Sequence, residues 1–433
     1  MSERPPLPEF AASLDGAPIL DRVRIVEVGD LGEIAGRLLA DVGADVIRVE
    51  PPSGTDSRHI GPYPNDEPGV ETSLRFAAHN ANKRGVTLDL EHAEGRALWR
   101  RLCESADVVI DGSGHGVLDG LGAGWEARLA DGWAGPRVWC SITPFGREGP
   151  WAHWASSDLV QLGLGGPMMS TGYTDHDLPP IRGGFDHSYW IGGEYAVVGI
   201  LGALAGLDAG AVEGPELVDM AIHDAVSATT EGAFPSWEYR REINQRATGR
   251  HSAPGPTPEI QFPTIDGRHM NIIGGGQPRS ARYLDDMLDW MDQYDAAEDL
   301  REPRFREAVF AARNEAHEER QRFSEVTKRF IAMLTTEEAY RGGQGMHLPW
   351  GIVRRPEENL DDPHWTDRDS FAPIELPGGQ QARLPIAPYR FEGVERVRPC
   401  RAPLLGEHNH AVYHEELGVP AEDLPGLAER GAI

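Results

Sequence analysis

One aspartate in this chain stands where a carboxylate could act as a nucleophile or a base. Asp186 lies in LPPIRGGFDHSYWIGGEYAVVGILGAL (178–204), directly after a glycine pair and shortly before a long apolar segment. Glycine adopts backbone angles that other residues resist, so Gly183 and Gly184 favour a loop that approaches a ligand closely. This pattern is typical of a carboxylate at the mouth of a cleft. Aspartate is also a favoured helix N-cap, so a purely structural role before a helix beginning near Ser188 fits the same residues.

The segments that must position this aspartate alternate between apolar runs and amphipathic stretches. They predict strands at 23–28, 45–49, 85–90, 108–110 and 137–142, with a helix at 93–105. Such alternation favours an α/β fold with a mostly parallel sheet, whose ligands bind at the carboxyl ends of the strands. GSGHG (112–116) follows one strand but is not G-x-G-x-x-G, and no acidic ribose partner follows it. A nicotinamide-dependent dehydrogenase therefore stays a weak alternative.

The length of 433 residues exceeds what one hydrophobic core usually serves, which predicts two domains. A further strand (216–220), a hairpin around Asp266-Gly267 and helices within 301–329 follow a change of composition after Leu207. We predict a large Rossmann-like α/β domain over 1–220, a smaller α+β domain over 221–345, and a return to the large domain over 346–433. The large domain is thus expected to be built from N- and C-terminal parts.

Composition indicates a cytoplasmic enzyme. The chain has 41 Lys and Arg against 69 Asp and Glu, a net charge of −28, and nucleic-acid partners are not expected because phosphate contacts need a basic face. Cys103, Cys140 and Cys400 are too few for a disulfide framework. The first ten residues contain no apolar signal segment, and no run approaches the roughly 18 apolar residues of a membrane span, so no membrane partner is expected either.

Six sequence blocks occur in a fixed order along most of the chain. They are GRLLADVGADVIRVEPPSGTDSR (36–58), HNANKRGVTLDLEHAEGRALWRRL (79–102), SADVVIDGSGHGVLDGLG (105–122), SITPFGREGP (141–150), the segment around Asp186, and APLLGEHNHAVYHEELGV (402–419). Together they resemble the family III CoA-transferases, also called the CaiB/BaiF family, which include formyl-CoA and carnitine CoA-transferases and the 2-methylacyl-CoA racemases.

The resemblance implies a CoA-transferase in which Asp186 attacks an acyl-CoA thioester and forms an aspartyl anhydride and then an aspartyl-CoA thioester. CoA and acyl-CoA are then substrates, and neither a metal nor a permanently bound cofactor is needed. Backbone N–H groups of glycine loops suit the developing oxyanion, which points to Gly183 and Gly184. Gly275 in GGGQP (274–278) is a third candidate, although this glycine run follows the hairpin strand that the family's glycine loop precedes. The resemblance also implies an interlocked homodimer.

A protein that binds CoA needs local positive charge for the nucleotide phosphates. The cation-rich patches of this acidic chain, together with the N-K-R motif of the second block, give the candidate CoA-binding residues Arg48, Arg58, Asn82, Lys83 and Arg84. A surface lysine without a ligand is the alternative interpretation of Lys83.

The racemase reaction is the main alternative, because it occurs in the same family. Racemases place a histidine in a G-H-D block about thirty residues before the aspartate, and here Ser157 and Asp158 stand at that place. An unactivated serine cannot act as the second base at neutral pH, so transfer is favoured, although His187 and His153 lie nearby. A CoA-binding protein without turnover is the third hypothesis.

Two further patterns concern ligands. His408, His410 and His414 lie within seven residues, and His410 and His414 would share a helix face at metal-ligand spacing. No carboxylate or cysteine completes a set, so we expect no metal. The loop VGDLGEIAG (28–36) lacks the glutamine of formyl-CoA transferase, and oxalate specificity is therefore unsupported. Trp151, Trp154 and Trp190 would favour a bulky or apolar acyl group if they face Asp186.

Overall fold

The computed structural model describes residues 17–433 except 231, 251, 256, 279, 312–315 and 395. The strands are β1 (Arg24–Val28), β2 (Asp45–Glu50), β3 (Arg84–Thr87), β4 (Val108–Asp111), β5 (Val138–Thr143), β6 (Glu216–Ala221), β7 (Gln261–Pro263), β8 (His269–Ile272), β9 (Trp350–Ile352), β10 (Phe371–Glu375) and β11 (Gln381–Pro385).

The helices are α1 (Glu33–Ala40), α2 (Leu74–His79), α3 (Ala93–Glu104), α4 (Val117–Gly120), α5 (Trp125–Asp131), α6 (Asp158–Leu164), α7 (His187–Asp208), α8 (Ile222–Ala228), α9 (Ala233–Arg240), α10 (Ala281–Asp292), α11 (Pro303–Phe310), α12 (His317–Ile331), α13 (Thr336–Gly345), α14 (Pro363–Asp367) and α15 (Leu424–Glu429). Short 3₁₀ turns and one π-helical turn (His410–Glu416) complete the described secondary structure.

The strands β1 to β6 form one parallel sheet in the order β3-β2-β1-β4-β5-β6. The central strands β4 and β5 are buried at every position, as expected for a parallel sheet with both faces covered. The predicted α/β class, its parallel sheet and the strands named from the sequence are confirmed. This strand order reverses direction between β1 and β4, which is where ligands bind in open sheets of this kind.

The chain divides into two compact units. The first contains residues 17–165, 183–229 and 360–433 of the described chain, and the second contains 166–182 and 230–359. These units are used below, whereas the predicted boundaries at 220 and 345 stay a prediction about domains.

The C-terminal part joins the first unit by packing rather than by adding a strand to the six-stranded sheet, whose strands all come from residues 24–221. Val412, Leu427 and Ile433 belong to the core of this unit. The Tyr413 hydroxyl donates a hydrogen bond to the carbonyl of Thr87 at 2.8 Å. We expected the sheet of the large domain to be built from both ends of the chain. The C-terminal part contributes to the core of this unit but adds no strand to the six-stranded sheet.

The second unit is built on the antiparallel sheet β7-β8-β9. The predicted hairpin is confirmed: β7 and β8 pair across a turn in which Gly267 has a φ of 75°, a left-handed angle that glycine adopts without strain. Side chains of α10 and α12 cover the sheet with a core that includes Phe262, Met287 and Phe330. The helices expected within 301–329 are α11 and most of α12.

Helix α7 runs for 22 residues and is apolar around most of its circumference. Gly193 lets it approach α1 closely, since a Cβ there would lie 2.6 Å from Ile34 Cβ, and Gly192 and Gly199 do the same against α8 and β6. By length and composition alone the helix could cross a membrane, contrary to our count of apolar runs, although core helices pass the same test. Only 28% of its most apolar window is buried within this chain.

The loops that follow β1 and β4 touch each other at the switch point of the sheet. A Cβ on Gly29 would lie 2.3 Å from the carbonyl carbon of Gly112, so neither loop tolerates a side chain here. Leu31 N–H, just before α1, donates to the Gly112 carbonyl at 3.2 Å. Dinucleotide phosphates bind at the corresponding helix N-terminus in Rossmann folds. Because backbone occupies this place, the geometry does not support the dehydrogenase alternative.

Asp111 at the end of β4 gives the folded protein a pH dependence. Burial raises its pKa to about 6, against 3.8 for an ordinary aspartate. Between these values the folded protein binds more protons than the unfolded chain, so this carboxyl makes stability fall as the pH rises from about 4 to 6. The difference between the two pKa values corresponds to a loss of about 3 kcal/mol in the free energy of unfolding once the pH exceeds 6.

Asp111→Asn should therefore raise the free energy of unfolding at pH 7.5 by up to about 3 kcal/mol and leave it nearly unchanged at pH 4. Urea unfolding of both proteins across this range measures the difference. A constant difference at all pH values would contradict the prediction.

Candidate active site

Asp186 occupies the N-cap position of α7 but does not cap the helix. Its side chain accepts no hydrogen bond from the first turn. Instead, Arg75 Nε donates to Asp186 Oδ2 at 2.7 Å. Among the described residues Oδ1 has no hydrogen-bond partner, and the side chain is 28% exposed. The structural interpretation of this aspartate as an N-cap is wrong, and one carboxylate oxygen remains available to a ligand.

The capping work at this helix is done by another residue. Asp158, at the start of α6, accepts hydrogen bonds through Oδ1 from both the N–H and the hydroxyl of Ser188, each at 2.8 Å. Ser157 in turn caps α6 by accepting from the N–H of Val160. Both residues at the place of the racemase histidine block therefore serve helix ends.

The turn before Asp186 is shaped differently from our expectation. Gly183 and Gly184 are exposed but have no left-handed φ angle, whereas Phe185 has a φ of 62° and is 83% exposed. A non-glycine residue in this region is uncommon and costs free energy, and such strain often occurs at active sites. A Cβ on Gly183 would lie 2.6 Å from the exposed ring of His187, so a side chain here would require this ring to move.

Arg75 links Asp186 to a buried network of charges. It comes from α2, and its Nη1 lies 3.7 Å from Glu33 Oε2 at the start of α1. Glu33 is fully buried and also accepts from Asn80 Nδ2 at 3.0 Å and from the hydroxyl of Ser57. His79 Nδ1 lies 3.4 Å from Glu33 Oε2. Arg75 thus lies between two carboxylates, with Nη1 near Glu33 and Nε bound to Asp186.

The network continues beneath the carboxyl ends of β1 and β2. Arg48 Nη2 lies 3.1 Å from Glu33 Oε1, and Arg48 Nη1 donates to Glu27 Oε1 at 2.7 Å. Glu27 and Arg48 face each other in the strand register. Lys83 Nζ donates to Glu27 Oε2 at 2.8 Å and to the carbonyl of Glu33 at the same distance. These buried groups alternate in sign, which is how charges persist inside a protein.

Burial opposes the ionisation of Glu33, but the charge of Arg48, the hydrogen bond with His79 and the charge of Lys83 outweigh it. The pKa of Glu33 is consequently held well below its ordinary value. Burial likewise opposes the charge on Arg48, and the carboxylates led by Glu33 and Glu27 raise its pKa nonetheless. The carboxylate behind Arg75 therefore stays ionised throughout the neutral range.

The residues predicted to bind CoA phosphates are placed in other contacts. Arg48 and Lys83 are buried in the network above, and Arg58 is fully buried against Glu50, Glu71 and the carbonyl of Pro403. Here the physical reason is desolvation: a buried cation needs a permanent anion, and these cations have one. This placement does not support phosphate binding by these three residues.

The remaining two candidates are also engaged in the first unit. Arg84 pairs with Asp45 and Glu416 at a partly exposed position. Asn82, with a φ of 66°, donates to Asp41 and accepts from the N–H of Cys400. Their role toward CoA stays a prediction.

The glycine and tryptophan candidates divide between the two units. Gly275 lies in the second unit, in the turn Ile273–Gly276 after β8, and its role stays a prediction. Trp190 lies one turn after Asp186 and contacts His79 edge-on, with ring centroids 5.9 Å apart. Trp151 and Trp154 stack on each other with ring centroids 5.0 Å apart. Among the described residues, neither ring contacts that of Trp190.

The three C-terminal histidines have structural partners. His408 Nδ1 accepts from the N–H of Gly85, and His414 Nδ1 donates to the carbonyl of Val419. His410 contacts Glu415. Within the described residues, no group of three or more His, Cys, Asp or Glu side chains could hold a metal ion.

Sequence comparison decides the family. The sequence profile of CoA-transferase family III matches residues 20–409. The chain belongs to this family. A similar curated protein is the succinyl-CoA:(R)-benzylsuccinate CoA-transferase subunit BbsE of Thauera aromatica, at 31% identity over 95% of this chain and 97% of that one. The succinyl-CoA–D-citramalate CoA-transferase of Chloroflexus aurantiacus is 29% identical over the full length of both.

A solved structure agrees with this assignment to family III. A CaiB/BaiF family protein from Brucella suis superimposes with a TM-score of 0.74 and 27% identity, covering 92% of this chain and 99% of that one. The resemblance stated from the sequence blocks is therefore confirmed. The α/β fold with its parallel sheet is a fold that this family shares.

Sequence reasoning missed Arg75, Glu33 and Glu27. One signal was available: within the otherwise apolar centres of the strands RIVEV and DVIRVE, Glu27 and Arg48 carry opposite charges at matching positions. Charged residues in buried strands are rare unless they are paired. Arg75 left no comparable signal, because an arginine on a short helix is ordinary in sequence.

Proposed function

We propose that this family III protein transfers CoA from an acyl-CoA thioester to a carboxylic acid through covalent intermediates on Asp186. One observation carries the proposal: Asp186 stands at a helix start without capping it, Arg75 binds Oδ2, and no other described residue forms a hydrogen bond with Oδ1. A carboxylate that performs no structural hydrogen bonding at the helix end is suited to act as a nucleophile.

The reaction needs only carboxylates, thioesters and thiolates. Asp186 Oδ1 attacks the thioester carbonyl, the C–S bond breaks, and CoA leaves as a thiolate from an aspartyl anhydride. The thiolate attacks the aspartyl carbonyl, forming aspartyl-CoA and releasing the donor acid as its carboxylate. The acceptor carboxylate then attacks aspartyl-CoA to give a second anhydride, and the thiolate takes its acyl group. Asp186 is regenerated as a carboxylate.

The exposed glycine turn supplies oxyanion donors in this proposal. No hydrogen bond between described residues uses the N–H groups of Gly183 and Gly184. Free backbone donors beside a nucleophile stabilise the charge that develops on the attacked carbonyl oxygen. We assign this role to the turn.

Succinyl-CoA is the first donor to test. Two relatives that align with almost the whole chain are named for transfer from succinyl-CoA, to benzylsuccinate and to citramalate. Both names describe acids with more than one carboxylate. The acceptor of this chain is therefore best sought among substituted dicarboxylic acids.

For the racemase alternative, the residues at the place of the histidine block supply no second base. Ser157 and Asp158 are both engaged at helix N-termini. Solvent deuterium entering the α-carbon of a 2-methylacyl-CoA would reveal racemisation, and we expect none.

Intact-protein mass spectrometry tests the proposal directly. The protein is incubated with succinyl-CoA and a panel of other thioesters, then treated with or without hydroxylamine and mapped by peptide. We expect a hydroxylamine-sensitive adduct on the peptide that contains Asp186. An absence of adduct with every thioester, in protein that still binds CoA, would contradict covalent transfer.

We also propose a homodimer in which α7 meets a second copy. Tyr195, Val198 and Leu201 form an exposed apolar stripe at helical spacing, with Val198 70% exposed. Light scattering after gel filtration should show a dimer, and Val198→Glu should convert it to monomer. BbsE is named as a subunit, so a wild-type monomer would instead favour pairing with a related chain.

A further inference from the structure

Arg75 uses only part of its hydrogen-bonding capacity. Nε donates to Asp186, whereas Nη1 is buried and has no hydrogen-bond partner. The side chain is 15% exposed, so the guanidinium lies at the edge of solvent rather than in the core. An unmade hydrogen bond at a buried charged donor is costly, and such exceptions call for an explanation.

The buried Arg58 shows what a purely structural arginine looks like in this fold. Its five N–H donors all have partners: both carboxylate oxygens of Glu50, the carboxylate of Glu71, and the carbonyls of Val70 and Pro403. Arg75 differs because Nη1 faces Glu33 without a hydrogen bond, and no hydrogen bond between described residues uses Nη2. Once Asp186 is acylated, Nε and Nη2 form a guanidinium edge that fits one carboxylate in a two-pronged geometry.

We propose that Arg75 binds the carboxylate of the substrate acid while Asp186 is acylated. This inference rests on the proposed function, because it requires Asp186 to lose its charge. The ligand class is a carboxylate anion, either the donor acid that has just been released or the acceptor acid that is about to attack.

The position of the negative charge during the reaction supports an exchange of carboxylates on Arg75. In the resting protein the negative charge opposite Arg75 is on Asp186. In the anhydride it is on the CoA thiolate, and in aspartyl-CoA it is on the released acid. Glu33 stays beside Nη1 throughout, but Nε keeps an anionic partner at the aspartyl-CoA stage only if the acid takes over from Asp186. Glu33 holds the guanidinium from behind at 3.7 Å, so the cation stays in place while its partner changes.

The exchange also gives the acid a productive position. An acid held on Nε and Nη2 of Arg75 lies beside the carbonyl carbon of Asp186, the atom that it must attack. The same contact would slow the dissociation of the released acid and keep water away from the acylated Asp186. Arg75 would thus touch substrate as well as orient the nucleophile.

Isotope exchange between succinyl-CoA and ¹³C-succinate tests this role, because it involves a single acid. We expect Arg75→Gln to raise the KM for succinate at least about tenfold, while Asp186 is still labelled by succinyl-CoA. Arg75→Lys, which keeps the charge but loses the planar fork, should give an intermediate KM. Added guanidinium ion should partly restore Arg75→Gln. Arg100→Gln, which removes an exposed helical ion pair, is the matched control and should behave as wild type.

The outcomes separate the two proposals. Asp186 that no thioester of the panel labels in the wild-type protein would contradict the proposed function itself. Labelled Asp186 together with an unchanged KM for succinate in Arg75→Gln or in a folded Arg75→Lys variant would overturn the role of Arg75 alone. Circular dichroism and thermal unfolding establish that each variant is folded before its KM is interpreted.

Discussion

Asp186→Asn is expected to reduce CoA transfer at least about 1,000-fold, because the amide cannot form the anhydride that carries the acyl group. Asparagine has nearly the same shape, and its carbonyl oxygen still accepts a hydrogen bond from Arg75 Nε. Loss of activity would therefore report the chemistry of the carboxylate rather than a collapsed helix start. The measurement is steady-state transfer from the best-labelling thioester, with the adduct on Asp186 followed in parallel.

Two variants make this result interpretable. Asp208→Asn changes an exposed aspartate at the opposite end of the same helix and should leave the rate unaltered. Asp186→Glu keeps a carboxylate but moves it by one methylene, and misplacement on that scale should cost about 100-fold. Transfer that survives Asp186→Asn at more than a few per cent of the wild-type rate would sink the covalent mechanism.

The fold was predictable because local signals and tertiary packing agree. The runs that become β1, β2, β4 and β5 are apolar and β-branched, and α3 follows β3 at the usual spacing. A parallel sheet buried on both faces leaves little choice of side chain, so its strands are visible in sequence. The C-terminal contribution was less predictable, because Tyr413 and Ile433 complete the core from loops and short helices that have no strong periodicity.

Only part of the candidate site could be predicted, because its function depends on which residue takes which hydrogen bond. Asp186 was identifiable, yet its sequence position fits a nucleophile and an N-cap equally well. The distinction came from Asp158, thirty residues earlier, which takes the Ser188 hydrogen bonds that an N-cap would make. Such competition between distant residues leaves no local pattern in sequence.

The cations predicted to bind CoA show the same dependence on distant residues. Arg48, Arg58 and Lys83 are attractive as phosphate ligands in a strongly acidic sequence. In the structure they have carboxylate partners: β1 and β2 bring Glu27 opposite Arg48, Lys83 also contacts Glu27, and Arg58 contacts Glu50. A cation in a buried strand is therefore better read as half of an ion pair than as a binding residue.

Arg48→Met should destabilise the protein by about 3–5 kcal/mol at pH 7.5, because removal of one partner from a buried ion network leaves the others uncompensated. Glu27, Asp30 and Glu33 all contact Arg48. Glu27 keeps Lys83 and Glu33 keeps Arg75 at 3.7 Å, whereas Asp30 keeps no other ion-pair partner among the described residues. Methionine fills a similar volume, so the expected loss comes from charge rather than from a cavity. Urea unfolding of the two proteins gives the value.

The pH dependence of this loss distinguishes charge from packing. Arg48 helps to hold the pKa of Glu33 below its ordinary 4.5, so that carboxylate contributes stability above pH 4.5 that is lost as the pH falls through its lower folded value. Without Arg48 that contribution shrinks, and the difference between the two proteins should therefore be largest near pH 7.5 and smaller near pH 4. Arg84→Met, which removes a cation 24% exposed between Asp45 and Glu416, should cost only about 1 kcal/mol or less. The charge explanation fails if the two variants lose equal stability, or if the loss for Arg48→Met does not vary with pH. Packing rather than the charge network would then stabilise the region around Arg48.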